Sequence, residues 1–284
     1  MKTTTKRVIA WLVAALTSVT MQAYDFASGG VYYDITRNAT ASTPGTVTVT
    51  KGDGYSGTVT IPATVQNGGS NYNVTAIAPE AFQNSIHLTA VNIGSKVESI
   101  GYRAFSGCEE LEEIVLPANV KTIDYDRDWS SHPSETFVGC NNLKRATLGG
   151  ITSMGIKMFS GCTNLTTVTI SEGCTVVGNN CFEGCTNLKA IEIPNTVTTI
   201  GKYAFQGCNV MTSAKVGNGV TTIGIEAFQG CTRLTKVTLG SKLRTIEYRA
   251  FADCEDLEEI ILPDELAILD RKCHRHHGRI EPAG

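Results

Sequence analysis

The segment Asp124-Tyr-Asp-Arg-Asp-Trp-Ser-Ser-His-Pro-Ser-Glu135 places carboxylates where a calcium loop carries them. Asp124, Asp126 and Asp128 fall at loop positions 1, 3 and 5, and Glu135 falls at position 12. Hard oxygen donors at this spacing suit Ca²⁺, with the Ser130 carbonyl at position 7. The sixth position is Trp129, where such a loop needs Gly for its sharp turn, and no flanking helix pair is expected. The competing reading is a solvated acidic loop. The other metal-capable run is Cys273-His-Arg-His-His277, which also reads as a flexible basic tail.

Nothing else forms a catalytic set. There is no G-x-S-x-G, no phosphate loop and no H-E-x-x-H. The acidic residues Glu109/Glu110, Glu112/Glu113, Asp256 and Glu258/Glu259 sit at equivalent points of a repeat, so they recur because the repeat recurs. This argues against a glycosidase pair. The chain is therefore not expected to be an enzyme; a carbohydrate-active enzyme is the remote alternative.

The repeat is marked by Phe82, Phe105, Phe137, Phe159, Phe182, Phe205, Phe228 and Phe251, with steps of 23, 32, 22, 23, 23, 23 and 23 residues. Fixed-period similarity means a solenoid of stacked rungs. Six residues after each Phe stands Leu88, Leu111, Leu143, Leu165, Leu188, Met211, Leu234 or Leu257. Apolar columns in register build one core that no single rung could bury alone. Period-two alternation, as in Ile114-Val-Leu116, marks a short strand that Pro or Gly then stops. The V-x-x-I pairs (Val197/Ile200, Val220/Ile223) read as a second short strand or extended arm. Gly201 to Cys208 suits a single helical or 3₁₀ turn.

Ten cysteines in a chain with an export signal first suggest five disulfides. The repeat argues otherwise. Cys108, Cys140, Cys162, Cys185, Cys208, Cys231 and Cys254 occupy one column, Cys181 an Ala slot and Cys174 a Val slot. They read as a ladder of small, buried free thiols, although column neighbours could in principle be bridged. Only Cys273 is off frame.

The rung C-x-x-L-x-x-I-x-L-P-x-x-V-x-x-I-G-x-x-A-F-x-G closely resembles the BspA-like (treponemal-type) leucine-rich repeat. Ile191-Glu-Ile-Pro194, Val197-Thr-Thr-Ile-Gly201 and Ala204-Phe205-Gln-Gly-Cys208 carry the match, and the resemblance spans about residues 74–270. It implies a β-rich repeat solenoid with short turns. It also implies a cell-surface or secreted protein that binds host matrix proteins or other bacteria.

The expected organisation is a signal peptide over 1–23, an N-terminal β-meander cap over 24–73, eight rungs over 74–270 with the insert at 124–135, and a polar tail over 271–284. Lys2, Lys6 and Arg7 precede an apolar run too short for a confident membrane span. Asp53-Gly54 and Gly68-Gly69 supply turns to the cap.

With 284 residues, a formal charge of −3 and 18% charged residues, the chain is neither disordered nor polybasic, which argues against nucleic-acid partners. The expected ligand is a protein, taken by the outward sheet face. Its central column is Asn92, Val115, Thr147, Thr169, Glu192, Lys215, Thr238 and Ile261, flanked by Thr89, Lys144, Arg145, Thr167 and Lys236. Trp129 in the insert would flank it. No cofactor other than Ca²⁺ is implied. The alternative is a structural spacer with no ligand of its own.

Overall fold

The structure is a computed structural model that describes residues 24–123, 134–270 and 279–282. The signal segment and most of the insert lie outside the described residues, as do Asp124, Asp126, Asp128, Trp129 and Cys273.

Most rungs contribute one longer and one two-residue strand, and where strands of neighbouring rungs pair they run parallel; the rung of Arg145–Leu148 has only an isolated bridge, Ser153 to Val176, on its second side. Arg145–Leu148 lies between Glu113–Leu116 and Thr167–Ile170, with Ala146 beside both Ile114 and Val168. On the second side, Thr199–Ile200, Thr222–Ile223 and Thr245–Ile246 stack in the same way. These are the V-x-x-I arms. The alternation places Ile114 and Leu116 in the core and leaves Val115 outside. After the strand, backbones of adjacent rungs meet closely. A Cβ at Gly217 would stand 2.3 Å from the Pro194 carbonyl oxygen, so a side chain has no room there.

All eight repeat phenylalanines are buried, and consecutive rings stack with centroids 4.9–5.4 Å apart and planes within 12° of parallel. The insert does not interrupt the column, since Phe105 and Phe137 stack at 5.4 Å. Tyr55 extends it at the N-terminal end, 4.3 Å from Phe82.

Before each Phe the chain forms hydrogen-bonded turns rather than the expected helical or 3₁₀ turn. The reason is an alternation of donors. In one rung the N–H groups of Ala227, Gln229 and Cys231 bond back to the carbonyls of Gly224, Glu226 and Phe228. The intervening N–H groups of Glu226, Phe228 and Gly230 bond instead to Tyr248, Ala250 and Ala252 of the next rung. A helix needs every N–H directed along its own axis, and here half are directed across rungs. The alternation requires left-handed backbone at Glu226 (φ 53°) and Gly230 (φ 71°).

The N-terminal segment is more than a meander. Phe26–Ser28, Val31–Arg37 and Gly45–Val49 pair antiparallel in turn, and Thr64–Asn67 forms a hairpin with Ser70–Ile77 across Gly68 and Gly69. However, Gly45–Val49 runs parallel to Ser70–Ile77, and Gly57–Ile61 parallel to Leu88–Ile93. Asp53-Gly54 consequently turns a loop between rung-like strands, not a hairpin. Val59 and Ile61 supply the inward alternation that a rung strand requires.

The tail also departs from expectation. Arg279–Pro282 pairs parallel with Glu259–Leu262 and adds a strand to the sheet. The last rung otherwise leaves a row of unpaired backbone groups, and a following extended segment satisfies them.

Candidate binding surface

Of the fourteen residues that the sequence names for the surface, all but Trp129 lie among the described residues. The flanks Thr89, Lys144, Arg145, Thr167 and Lys236 are exposed on the outward face of the longer strands. So are Asn92, Val115, Thr169, Glu192, Lys215 and Thr238, while Thr147 is half-buried. The register orders them. Thr147 lies between Val115 and Thr169, and Lys215 lies between Glu192 and Thr238. Asn92 donates to the Thr60 hydroxyl at 3.2 Å.

Charge on this face is paired across rungs. Lys144 reaches Glu112 at 3.0 Å and Arg145 reaches Glu113 at 2.7 Å. The Arg145 guanidinium donates to Glu113 and holds its carboxyl below the usual carboxylate range. Lys215 pairs with Glu192. These pairs sit in water and orient the face more than they stabilise it. Val115 and Ile261 are the apolar points of the face, at 48% and 64% exposure.

Of the calcium-loop carboxylates, Glu135 alone is described. It accepts from Arg103 Nε at 2.6 Å, and the Arg103 guanidinium lies 5.3 Å from the Tyr102 ring centroid. Glu135 belongs to a column the sequence reading missed, two residues before each Phe: Glu80, Arg103, Glu135, Lys157, Asn180, Tyr203, Glu226 and Arg249. All eight have φ between 42° and 59°. The signal was present, because this column is charged or strongly polar in every rung but that of Tyr203, while the column after it is mostly apolar, as at Ala81, Ala104 and Ala227. Among the described residues, no group of three or more His, Cys, Asp or Glu side chains could hold a metal ion.

The cysteines Cys108 to Cys254 of the repeat column are free and buried, as are Cys174 and Cys181. Each column thiol donates to the backbone carbonyl of the Phe one rung earlier, as Cys162 does to Phe137 at 3.2 Å and Cys254 to Phe228 at 3.1 Å. Burial pushes the Cys108 and Cys254 thiols up to about 12 and raises the others as well, so the thiolate that would act as a nucleophile is suppressed. This column is structural.

A parallel-stranded solenoid with its longer strands along one outward face and an inert core defines a leucine-rich repeat protein, a class that generally binds proteins and is typically non-enzymatic. The family model described as BspA type leucine rich repeat region matches six copies over residues 63–179 and 152–281. The chain belongs to that family. No curated protein matches it. Among solved structures it is similar to the leucine-rich repeat protein of T. pallidum, at 24% identity and TM-score 0.52, covering 85% of this chain and 92% of that one. It also matches the pneumococcal vaccine antigen PcpA (17% identity, TM-score 0.47, covering 86% and 76%). A third match is a leucine-rich repeat protein from Bacteroides ovatus (21% identity, TM-score 0.40, covering 92% and 91%). Among the described residues, no helix is long and apolar enough to cross a membrane.

Proposed function

We propose that the chain is an exported, cell-surface or secreted module that binds a protein ligand through its outward sheet face and so mediates adhesion. The observation that carries this reading is the register, which sets half-buried Thr147 beside exposed Thr169 in one sheet and lines up the exposed Glu192, Lys215 and Thr238 in the next. Such an arrangement offers an extended, ridged surface with charges paired across rungs. The ligand classes that fit are extracellular matrix proteins and the surface proteins of other bacteria. Export is supported by the basic-then-apolar stretch at the N-terminus.

The test is capture of matrix proteins and bacterial surfaces by the immobilised mature protein, beside its Lys144→Glu/Thr169→Arg variant. The expected result is capture by the parent and loss of most of it in the variant. Equal capture by both would move the binding site off this face.

A further inference from the structure

Among the described residues the outward sheet is interrupted between Leu88–Ile93 and Glu113–Leu116, between Thr167–Ile170 and Ala190–Glu192, and between Lys236–Thr238 and Glu259–Leu262. Ser213–Lys215 and Lys236–Thr238 share a full ladder, but Lys236–Thr238 and the adjacent Glu259–Leu262 share none. The consequence is visible in the side chains. Ala214 and Val216 are buried at 2% and 3%, whereas their counterparts one rung on, Val237 and Leu239, are only half-buried. Together with Ile261, the most exposed large apolar side chain among the described residues, they floor a groove between the two strands.

The rim of this groove differs from that of its counterpart earlier in the array. Glu258 and Glu259 occupy the repeat positions of Glu112 and Glu113. There, Lys144 answers Glu112 and Arg145 answers Glu113. Here Arg279 takes the register place of Arg145 beside Glu259. Glu258 and Asp264 are exposed, and neither has an ion-pair partner among the described residues. Glu265 is already held by Arg244 at 3.1 Å, and Lys236 is the cation of the opposite wall.

We infer that this groove takes an extended segment of a partner protein in which Lys or Arg flanks an apolar side chain. The apolar residue would cover Val237, Leu239 and Ile261, and its basic neighbours would meet Glu258 and Asp264. An apolar contact with a complementary charged rim is the usual arrangement of a peptide-recognition site. The inference rests on the proposed role of the outward face and names one partner chemistry for one part of it.

The test is fluorescence anisotropy of the whole protein with three labelled peptides: Lys-Leu-Lys-Val-Lys, Glu-Leu-Glu-Val-Glu and Lys-Ser-Lys-Ser-Lys. The first should bind at least about tenfold more tightly than either of the others. Glu258→Lys/Asp264→Lys and, separately, Ile261→Ser should each weaken it about tenfold. All three positions are exposed, so the variants should keep the parent melting temperature. Glu112→Lys should leave peptide binding unchanged. Failure of the lysine-leucine peptide to bind would overturn the inference. So would equal loss in Glu112→Lys, which would mean unspecific charge attraction. Surface capture with no peptide binding defeats the groove alone, and peptide binding with no capture defeats the wider face.

Discussion

The Cys208 thiol donates to the Phe182 carbonyl at 3.3 Å, and the same carbonyl accepts the Cys185 N–H at 3.1 Å. One oxygen thus joins its own turn to the next rung. The thiol is a buried donor as well as a space filler. Cys208→Ser keeps a donor, and Ser85 already holds the equivalent place in the first rung. That variant should stay within about 1 kcal/mol of the parent in urea unfolding. Cys208→Val is larger and has no donor, and should cost about 1–3 kcal/mol.

The thiol column makes the fold sensitive to alkali. Burial raises the Cys108 and Cys254 thiols to about 12, while an unfolded thiol ionises near pH 8.5. Their folded values lie above their unfolded ones, so the contribution is complete below about pH 8.5 and is lost as pH rises toward 12. Between these limits the unfolded state binds fewer protons, and stability falls by about 1.4 kcal/mol per pH unit for each such thiol. Melting temperatures measured at pH 7, 9 and 10 should decline across this series. A flat profile would contradict the burial.

Accessibility of the same groups gives a second measurement. A disulfide-exchange thiol reagent should leave the nine described cysteines unreacted in the folded protein and should titrate all ten in denaturant. Fast reaction of several thiols in the folded protein would mean that the rungs open readily.

Phe182 stacks on Phe159 at 5.4 Å and on Phe205 at 5.2 Å, so it couples two interfaces. Phe182→Ala should cost about 3–5 kcal/mol. In an array held by nearest-neighbour contacts, the rungs on either side should then unfold in separate transitions. Calorimetry would read this as one peak in the parent and two in the variant.

Lys157 has φ 56°, and no described hydrogen bond or ion pair holds its side chain. The left-handed region costs a residue with a Cβ about 1–2 kcal/mol. Lys157→Gly should therefore raise stability, by about 1 kcal/mol after the extra freedom of the unfolded glycine is subtracted. Lys157→Val should lower it, because a β-branched side chain tolerates this conformation least.

Calcium titration calorimetry is expected to give no heat beyond dilution. The carboxylate that would close the loop, Glu135, is already taken by Arg103 at 2.6 Å. Saturable heat that disappears in Asp124→Ala/Asp126→Ala would reverse this expectation.

Which residues are buried was legible in the sequence because it depends on side-chain type repeated at a fixed period. The phenylalanine, leucine and cysteine columns stack where their spacing placed them, and the outward row from Asn92 to Thr238 follows from alternation alone. What each backbone group bonds to was not legible. The partner of the Phe228 N–H lies in the next rung, at Ala250, and no local pattern names it. That distant pairing replaced the expected helical turn with left-handed turns at Glu226 and its equivalents, and it turned a run of polar residues into a structural column. The tail strand Arg279–Pro282 and the open ladder beside Ile261 have the same origin. Period determined the core by itself, whereas only the stacking of rungs decided where the edges close and where the sheet parts, because those depend on hydrogen bonds between segments about 23 residues apart.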